Sequence, residues 1–254
     1  MVPFILCLLP ALLATTNAQA QSTKCLQCSG SADSSCQPAA GTCPVTAGTG
    51  GCIKVAEENT LIGEKTTGFA RSCLADYNSG INAAITYTAG NGKYLRINTN
   101  RCNNADNCNS GTLAVPTVDA AANGLQCPTC FALNSDPCDS QITPCTGDEK
   151  YCIDFAGTLT KGSTVSTFVA KGCATASTKD IQPGTSLVSA VYTFMFTKVS
   201  SQAAEKITPT TKPPAAATKP TTATTSGASP ALGRFSFALY LPGLTGLLLV
   251  KLLA

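Results

Sequence analysis

Six cysteines recur in this chain at matched intervals. Cys25, Cys28, Cys36, Cys43, Cys52 and Cys73 line up with Cys127, Cys130, Cys138, Cys145, Cys152 and Cys173; the first four pairs are offset by 102 residues and the last two by 100. The flanking residues agree as well. CLQC matches CPTC, CIKV matches CIDF, and TTGFARSC matches STFVAKGC. This is an internal duplication. Each copy is shorter than about 100 residues, a size at which a hydrophobic core alone is marginal and staples are expected.

Two C-x2-C pairs, Cys25/Cys28 and Cys127/Cys130, can hold zinc or can belong to disulfide frameworks. The chain ends decide between them. Residues 1–20 are an uncharged apolar run followed by small and polar residues, with Ala18-Gln19-Ala20 fitting the small-x-small rule of a secretion signal. Cleavage is expected after Ala20, and Cys7 leaves with the signal. The other end, from Phe235 to Ala254, is almost wholly apolar. The small triplet Ser226-Gly227-Ala228, a spacer and this tail form the pattern of a glycosylphosphatidylinositol (GPI) attachment signal. Ser226, or Gly227, is the expected attachment residue, with 227–254 removed. A true membrane span, with Lys251 at its end, is the competing reading, and Pro242 speaks against it. Both ends indicate the secretory pathway, where thiols pair. Of 15 cysteines, 14 remain without Cys7, an even number. A zinc ribbon is the poorer reading, because such ribbons space their pairs by roughly 15–20 residues.

The copies differ at their ends. The first runs on through ITYTAGNGKYLRINTNRCNNADNCN and adds Cys102 and Cys108; the second runs through SLVSAVYTFMFTKVSSQ and adds none. Ser200 stands where the first copy has Cys102, so the second copy's end is expected to fray. The expected organisation is a first domain over 21–109, a linker over 110–124, a second domain over 125–202 and a Thr/Pro/Ala-rich, O-glycosylated stalk over 203–226. No N-x-S/T sequon occurs.

The local signals are those of strands. Ile85-Thr86-Tyr87-Thr88 and Tyr94-Leu95-Arg96-Ile97 flank Asn91-Gly92, a hairpin pattern. Cys52–Cys73 holds two β-prone runs about Gly63, and 188–199 is rich in Val, Tyr, Phe and Thr. No convincing amphipathic helix occurs between the two ends. The expected fold class is all-β: two small disulfide-stapled domains in tandem, followed by the stalk.

The spacing C-x2-C-x7-C-x6-C-x8-C-x20-C, ending in Cys102 and the pair Cys108-Asn109, resembles the three-finger domain of the lymphocyte-antigen/urokinase-receptor (LU) family. The resemblance covers about 25–109 and 127–200. The stretch LQCPTCFALNSDPCDSQITPCTGDEKYCIDFAG looks like the second domain of gamma-type phospholipase A-two inhibitors and their cell-surface relatives. Spacing alone leaves many pairings open. The resemblance implies Cys25–Cys52, Cys28–Cys36, Cys43–Cys73 and Cys102–Cys108 in the first copy, and Cys127–Cys152, Cys130–Cys138 and Cys145–Cys173 in the second. It also implies a binding protein whose finger ends meet its partner. The candidate regions are Glu57–Lys65, Ala89–Lys93 and Gly157–Thr164.

Catalysis finds little footing. The chain has no histidine, which removes Ser-His-Asp and Cys-His chemistry and histidine metal sites. Glu57-Glu58 and Asp148-Glu149 are adjacent carboxylates that point apart in a strand and read as solvated charge. Gly48-Thr49-Gly50-Gly51 lacks the Lys-Ser/Thr of a phosphate loop and reads as a flexible segment. No cofactor and no metal are expected. The chain carries 17 basic and 14 acidic residues, and losing Arg234 and Lys251 leaves 21–226 at +1. With no basic run, nucleic acid is not an expected partner. The leading expectation is a GPI-anchored surface protein with an extracellular protein partner; the alternative is an inhibitor of secreted phospholipase A-two.

Overall fold

The computed structural model describes residues 24–36 and 41–208. Among these, the regular structure is strands, with short 3-10 turns at Asp33–Ser35 and Ala176–Asp180. Repeat one supplies β1 (Lys24–Leu26), β2 (Cys28–Gly30), β3 (Thr42–Pro44), β4 (Gly51–Asn59), β5 (Thr66–Leu74), β6 (Ala84–Gly90) and β7 (Lys93–Cys102). Repeat two supplies β8 (Ala122–Leu133), β9 (Gln141–Thr146), β10 (Tyr151–Lys161), β11 (Thr164–Ala174), β12 (Ser186–Val188), β13 (Thr193–Lys198), β14 (Ser201–Ala203) and β15 (Glu205–Lys206).

The duplication is visible in the register. Cys52 lies opposite Cys73 in β4–β5, and Cys152 lies opposite Cys173 in β10–β11. The ends of these two hairpins differ although the cysteine spacing is the same. In repeat two the strands run to Lys161 opposite Thr164, closed by Gly162-Ser163, with Gly162 at φ 58°. That left-handed position suits glycine. In repeat one pairing stops at Asn59–Thr66. The segment between folds back, with Leu61 buried in the core and the Thr60 hydroxyl donating to the Gly92 carbonyl at 2.9 Å. The third hairpin of repeat one turns at Asn91 and Gly92, both at positive φ (52° and 73°).

Alternation places one face of each strand inward. Ile53, Val55, Leu95 and Ile97 line the inner face of repeat one; Ile153, Phe155, Leu159, Phe168 and Ala170 line that of repeat two. These residues form one cluster, joined by Ile181, Leu187, Phe194 and Phe196. Phe168 meets Phe194 and Phe196 edge-on at 5.5 and 5.9 Å, an arrangement that aromatic quadrupoles favour.

The two repeats are therefore one folding unit. Their strands form a continuous path, β12-β13-β10-β11-β6-β7-β4-β5-β2. The joint is β6 against β11, with Thr88 opposite Cys173 and Tyr87 opposite Ala174. Gly172 makes the close approach possible: a Cβ there would fall 2.1 Å from the Thr88 carbonyl oxygen. The sheet curls so that its far end returns to repeat one. Ser186 exchanges backbone hydrogen bonds with Ser79 and Ile81 at 2.9 and 3.0 Å, and Ala190 packs on Gly68 of β5.

Several expectations are corrected here. The linker over 110–124 gives its last residues to β8, which starts at Ala122. The end of repeat two does not fray at Ser200: Ser200 and Asp154 exchange backbone hydrogen bonds, β14 pairs with β10, and β15 pairs Glu205 and Lys206 with Gln126 and Leu125 of β8. The stalk expected from 203 thus loses its first residues to the sheet. Gly50-Gly51 is packed rather than flexible. A Cβ at Gly50 would lie 2.5 Å from Val45, and one at Gly51 would lie 2.6 Å from the Tyr77 ring.

Candidate partner-binding surface

The structure brings together Cys25 and Cys52, Cys28 and Cys36, Cys43 and Cys73, and Cys102 and Cys108 in repeat one. In repeat two it joins Cys127 to Cys152, Cys130 to Cys138, and Cys145 to Cys173. These bonds hold the base from which the hairpins project. Asn109 completes the base of repeat one. It is fully buried, accepts from the Leu26 N–H at 3.0 Å, and donates to the carbonyls of Leu26 and Ile53 at 2.9 and 3.0 Å. Ala20, Ser226, Gly227 and Cys7 lie outside the described residues.

The hairpin ends are only partly available to a partner. In Glu57–Lys65, residues Glu57, Asn59 and Leu61 are buried, while Gly63 to Lys65 are exposed. Glu58 faces outward as the hub of a polar group. Lys65 Nζ approaches its Oε2 at 2.7 Å, and the Tyr94 hydroxyl donates to its Oε1 at 2.6 Å. The Arg96 guanidinium stacks 4.4 Å over Tyr94 and reaches Glu58 Oε1 at 3.5 Å. The hydrogen bond from Lys65, then that from Tyr94, hold the Glu58 carboxyl below its ordinary range. Tyr94 is raised by the same bond.

In Ala89–Lys93 the first two residues are buried, and Gly90 packs on the hydroxyls of Thr129 and Thr143 in repeat two. Asn91, Gly92 and Lys93 remain exposed, with Lys93 Nζ 5.8 Å from the Phe131 ring centroid. In Gly157–Thr164, Gly157 lies against the Met195 carbonyl, while Lys161 to Thr164 are exposed. Val165 beside them is 62% exposed. From the β6–β11 register, this end runs about seven residues, or roughly 20 Å, further along the strand direction than the Asn91-Gly92 turn. Thus 161–165 is the most projecting of the three candidate ends.

The carboxylate readings divide. Asp148 is exposed and Glu58 is half-buried among its partners, but Glu57 and Glu149 are buried. Glu57 lies on β4 in the inward row after Ile53 and Val55, and both its oxygens are sealed without a well-formed hydrogen bond. The Ser189 hydroxyl and Ala190 backbone are the polar groups beside it. Burial pushes its carboxyl up, partly offset by those two. Glu149 is sealed by β6: the Thr88 hydroxyl donates to its Oε1 at 3.1 Å, and its Oε2 has no well-formed hydrogen bond, with the Thr86 hydroxyl beside the carboxylate. Burial raises it too, against the lowering effects of Thr88, Thr86 and Arg96.

The sequence reading missed the seam itself. Its anchor is Tyr87, whose hydroxyl lies 3.2 Å from the carbonyls of both Cys130 and Lys171. Burial foremost, then the charge of Glu149, push the phenol up. Thr86 and Thr175 exchange further bonds across the joint at 3.1 Å. The strict alternation of Ile85, Tyr87 and Ala89 marks an inward face, but nothing local says that the face meets the second copy.

A family profile described as the u-PAR/Ly-6 domain matches residues 21–111 and 123–200. The chain belongs to the u-PAR/Ly-6 domain family. Among curated relatives it is 30% identical over 128 residues to a gamma-type phospholipase A2 inhibitor from Laticauda semifasciata, a match covering 49% of this chain and 64% of that protein. The chain thus matches somewhat less than two thirds of that relative's length. Among solved structures, mouse TEX101 aligns at 22% identity with a TM-score of 0.30, over 64% of this chain and 86% of TEX101.

Proposed function

We propose that this chain is a GPI-anchored cell-surface protein that recognises an extracellular protein through its projecting hairpin ends and performs no catalysis. The family membership carries the reading: u-PAR/Ly-6 domains are binding modules built on a stapled base. The exposed segments are the ends left free after the repeats have packed together, at 63–65, 91–93 and 161–165. The last projects furthest and presents an apolar Val165 on one face and Lys161 on the other, a mix suited to a protein surface. The signal over 1–20, attachment at Ser226 or Gly227, and a stalk beyond the sheet complete the proposed organisation, which holds both repeats off the bilayer.

Two measurements test this. With an epitope tag after Ala20, phosphatidylinositol-specific phospholipase C should release the protein from expressing cells; retention would remove the anchor from the proposal. Alanine substitution across 161–165 should weaken capture of a surface partner at least about tenfold, the scale of losing one anchoring contact. Unchanged capture would move the binding face elsewhere.

A second reading is favoured by the match to the Laticauda inhibitor: the chain inhibits a secreted phospholipase A2. Titration of the purified protein against such an enzyme decides it. Stoichiometric loss of lipolysis supports the reading, and full activity at excess protein removes it.

A further inference from the structure

Each repeat places one glutamate against the other repeat. Glu57 of β4 meets Ser189 and Ala190 where the curled sheet returns to repeat one. Glu149, in the turn before β10, meets Thr86 and Thr88 of β6 beside the joint with β11. Both are almost wholly buried, at 0% and 1% exposure. Three of their four oxygens lack a well-formed hydrogen bond, with only the Ser189 and Thr86 hydroxyls and the Ala190 backbone beside them. An ionised carboxylate in such a place is costly, and the cost falls on the contact that seals it.

We propose that the seam between the repeats is a proton-operated clasp, in which Glu57 and Glu149 hold the repeats together when protonated and loosen the seam when both ionise.

The surroundings of Glu57 support this. Across the sheet it faces Gly68 of β5 and Ile97 of β7. The returning segment offers Ser189 and Ala190. None of these carries a charge. Its neighbours Glu58 and Arg71 belong to the opposite face, and Arg71 is committed to Asp33 and to the carbonyls of Cys36 and Gly111. Around Glu149 the titratable groups are Arg96 and Tyr87 from repeat one, Asp119 packed on Gly147, and Asp148 and Lys150 in its own turn. Lys150 is paired with Asp148 at 3.0 Å. Arg96 favours the ionised form, but its guanidinium also serves Glu58, and burial outweighs it.

The sign follows from linkage. The closed seam binds these protons more tightly than an open one, where both carboxyls return to their ordinary range. The contribution to closure is full below that range. It declines as pH rises through the ordinary value and is exhausted above the raised one. The clasp is thus tighter in an acidic compartment than in neutral fluid.

Hydrogen exchange on the full chain tests it, with rates corrected for the intrinsic effect of pH. Between about pH 5 and about pH 8, amides in 79–88 and 185–192 should lose about tenfold protection for each unit by which closure raises a carboxyl. The β4–β7 amides should change less. The double change Glu57→Gln with Glu149→Gln should flatten that profile. Equal protection at both pH values, or a double variant that keeps the native profile, would overturn the proposal. If the double variant does not fold, the native profile decides, and Glu57→Gln and Glu149→Gln made singly divide it between the two sites.

Discussion

Repeat one ends in the Cys102–Cys108 loop and the buried amide of Asn109; repeat two ends in Ser200 and the strands to Lys206. The two ends lie at corresponding places and solve the same problem. Each must satisfy the backbone groups at the base of its fold. Repeat one does so with a side chain: one asparagine serves the Leu26 N–H and carbonyl and the Ile53 carbonyl. Repeat two has Pro128 at the position of Leu26. Proline has no N–H to offer, so the donor and its asparagine acceptor are absent together. Repeat two instead extends its ladder, with Ala204 N–H donating to Lys150 and Ile207 N–H donating to Gly124, both at 2.9 Å. A missing disulfide here means a different closure, not an open end. Repeat two also leans on its neighbour, since β6 pairs with Cys173 and Ala174 at the end of its β11 and its aromatic cluster is shared.

This contrast between a self-closing repeat and a dependent one can be broken at the joint, at the cap and at the tail. The largest effect is expected at the joint. Gly172→Val puts atoms into the Thr88 carbonyl and the Tyr87 ring, and overpacking of this kind costs about 3 kcal/mol. Denaturant melts should show it, and limited proteolysis should open repeat two before repeat one. Equal opening of both would mean that the dependence is mutual.

Next is the cap. Asn109→Ala strands three buried backbone groups and should cost about 2 kcal/mol even with Cys102–Cys108 intact. Loss of protection confined to Leu26 and its neighbours would show that the amide locks repeat one alone. An unchanged melt would leave the disulfide as the whole lock.

The smallest effect is expected at the tail. Ending the chain after Ala203 removes the β15 pairing and should cost about 1 kcal/mol, seen as faster exchange of amides in 122–127. No change there would restore the frayed end that the Ser200 substitution suggests.

Much of the strand content was legible because its signals are local. Asn91-Gly92 marks a hairpin since both positions need positive φ, and Ile85, Tyr87 and Ala89 alternate as a half-buried strand must. The matched cysteine intervals reveal two copies because a duplication is written in spacing. Glu57 was misread as solvated, although its place two residues beyond Val55 puts it on the inward face; the adjacent Glu58 and the polar run to Lys65 masked that phase. Glu149 carries no comparable signal. It sits in a turn, where burial depends on what lies over it, and what lies over it is β6, about sixty residues away in sequence.

Residue order alone specifies a duplicated, cysteine-stapled β protein without histidine chemistry, for those properties rest on composition, intervals and period-two patterns. The tertiary structure decides that the two copies are one body. It does so because the inward faces of two small repeats bury more apolar surface together than apart, and because Gly172 and Tyr87 let two strand edges meet. That same closure selects which hairpin ends stay exposed and seals two glutamates away from water.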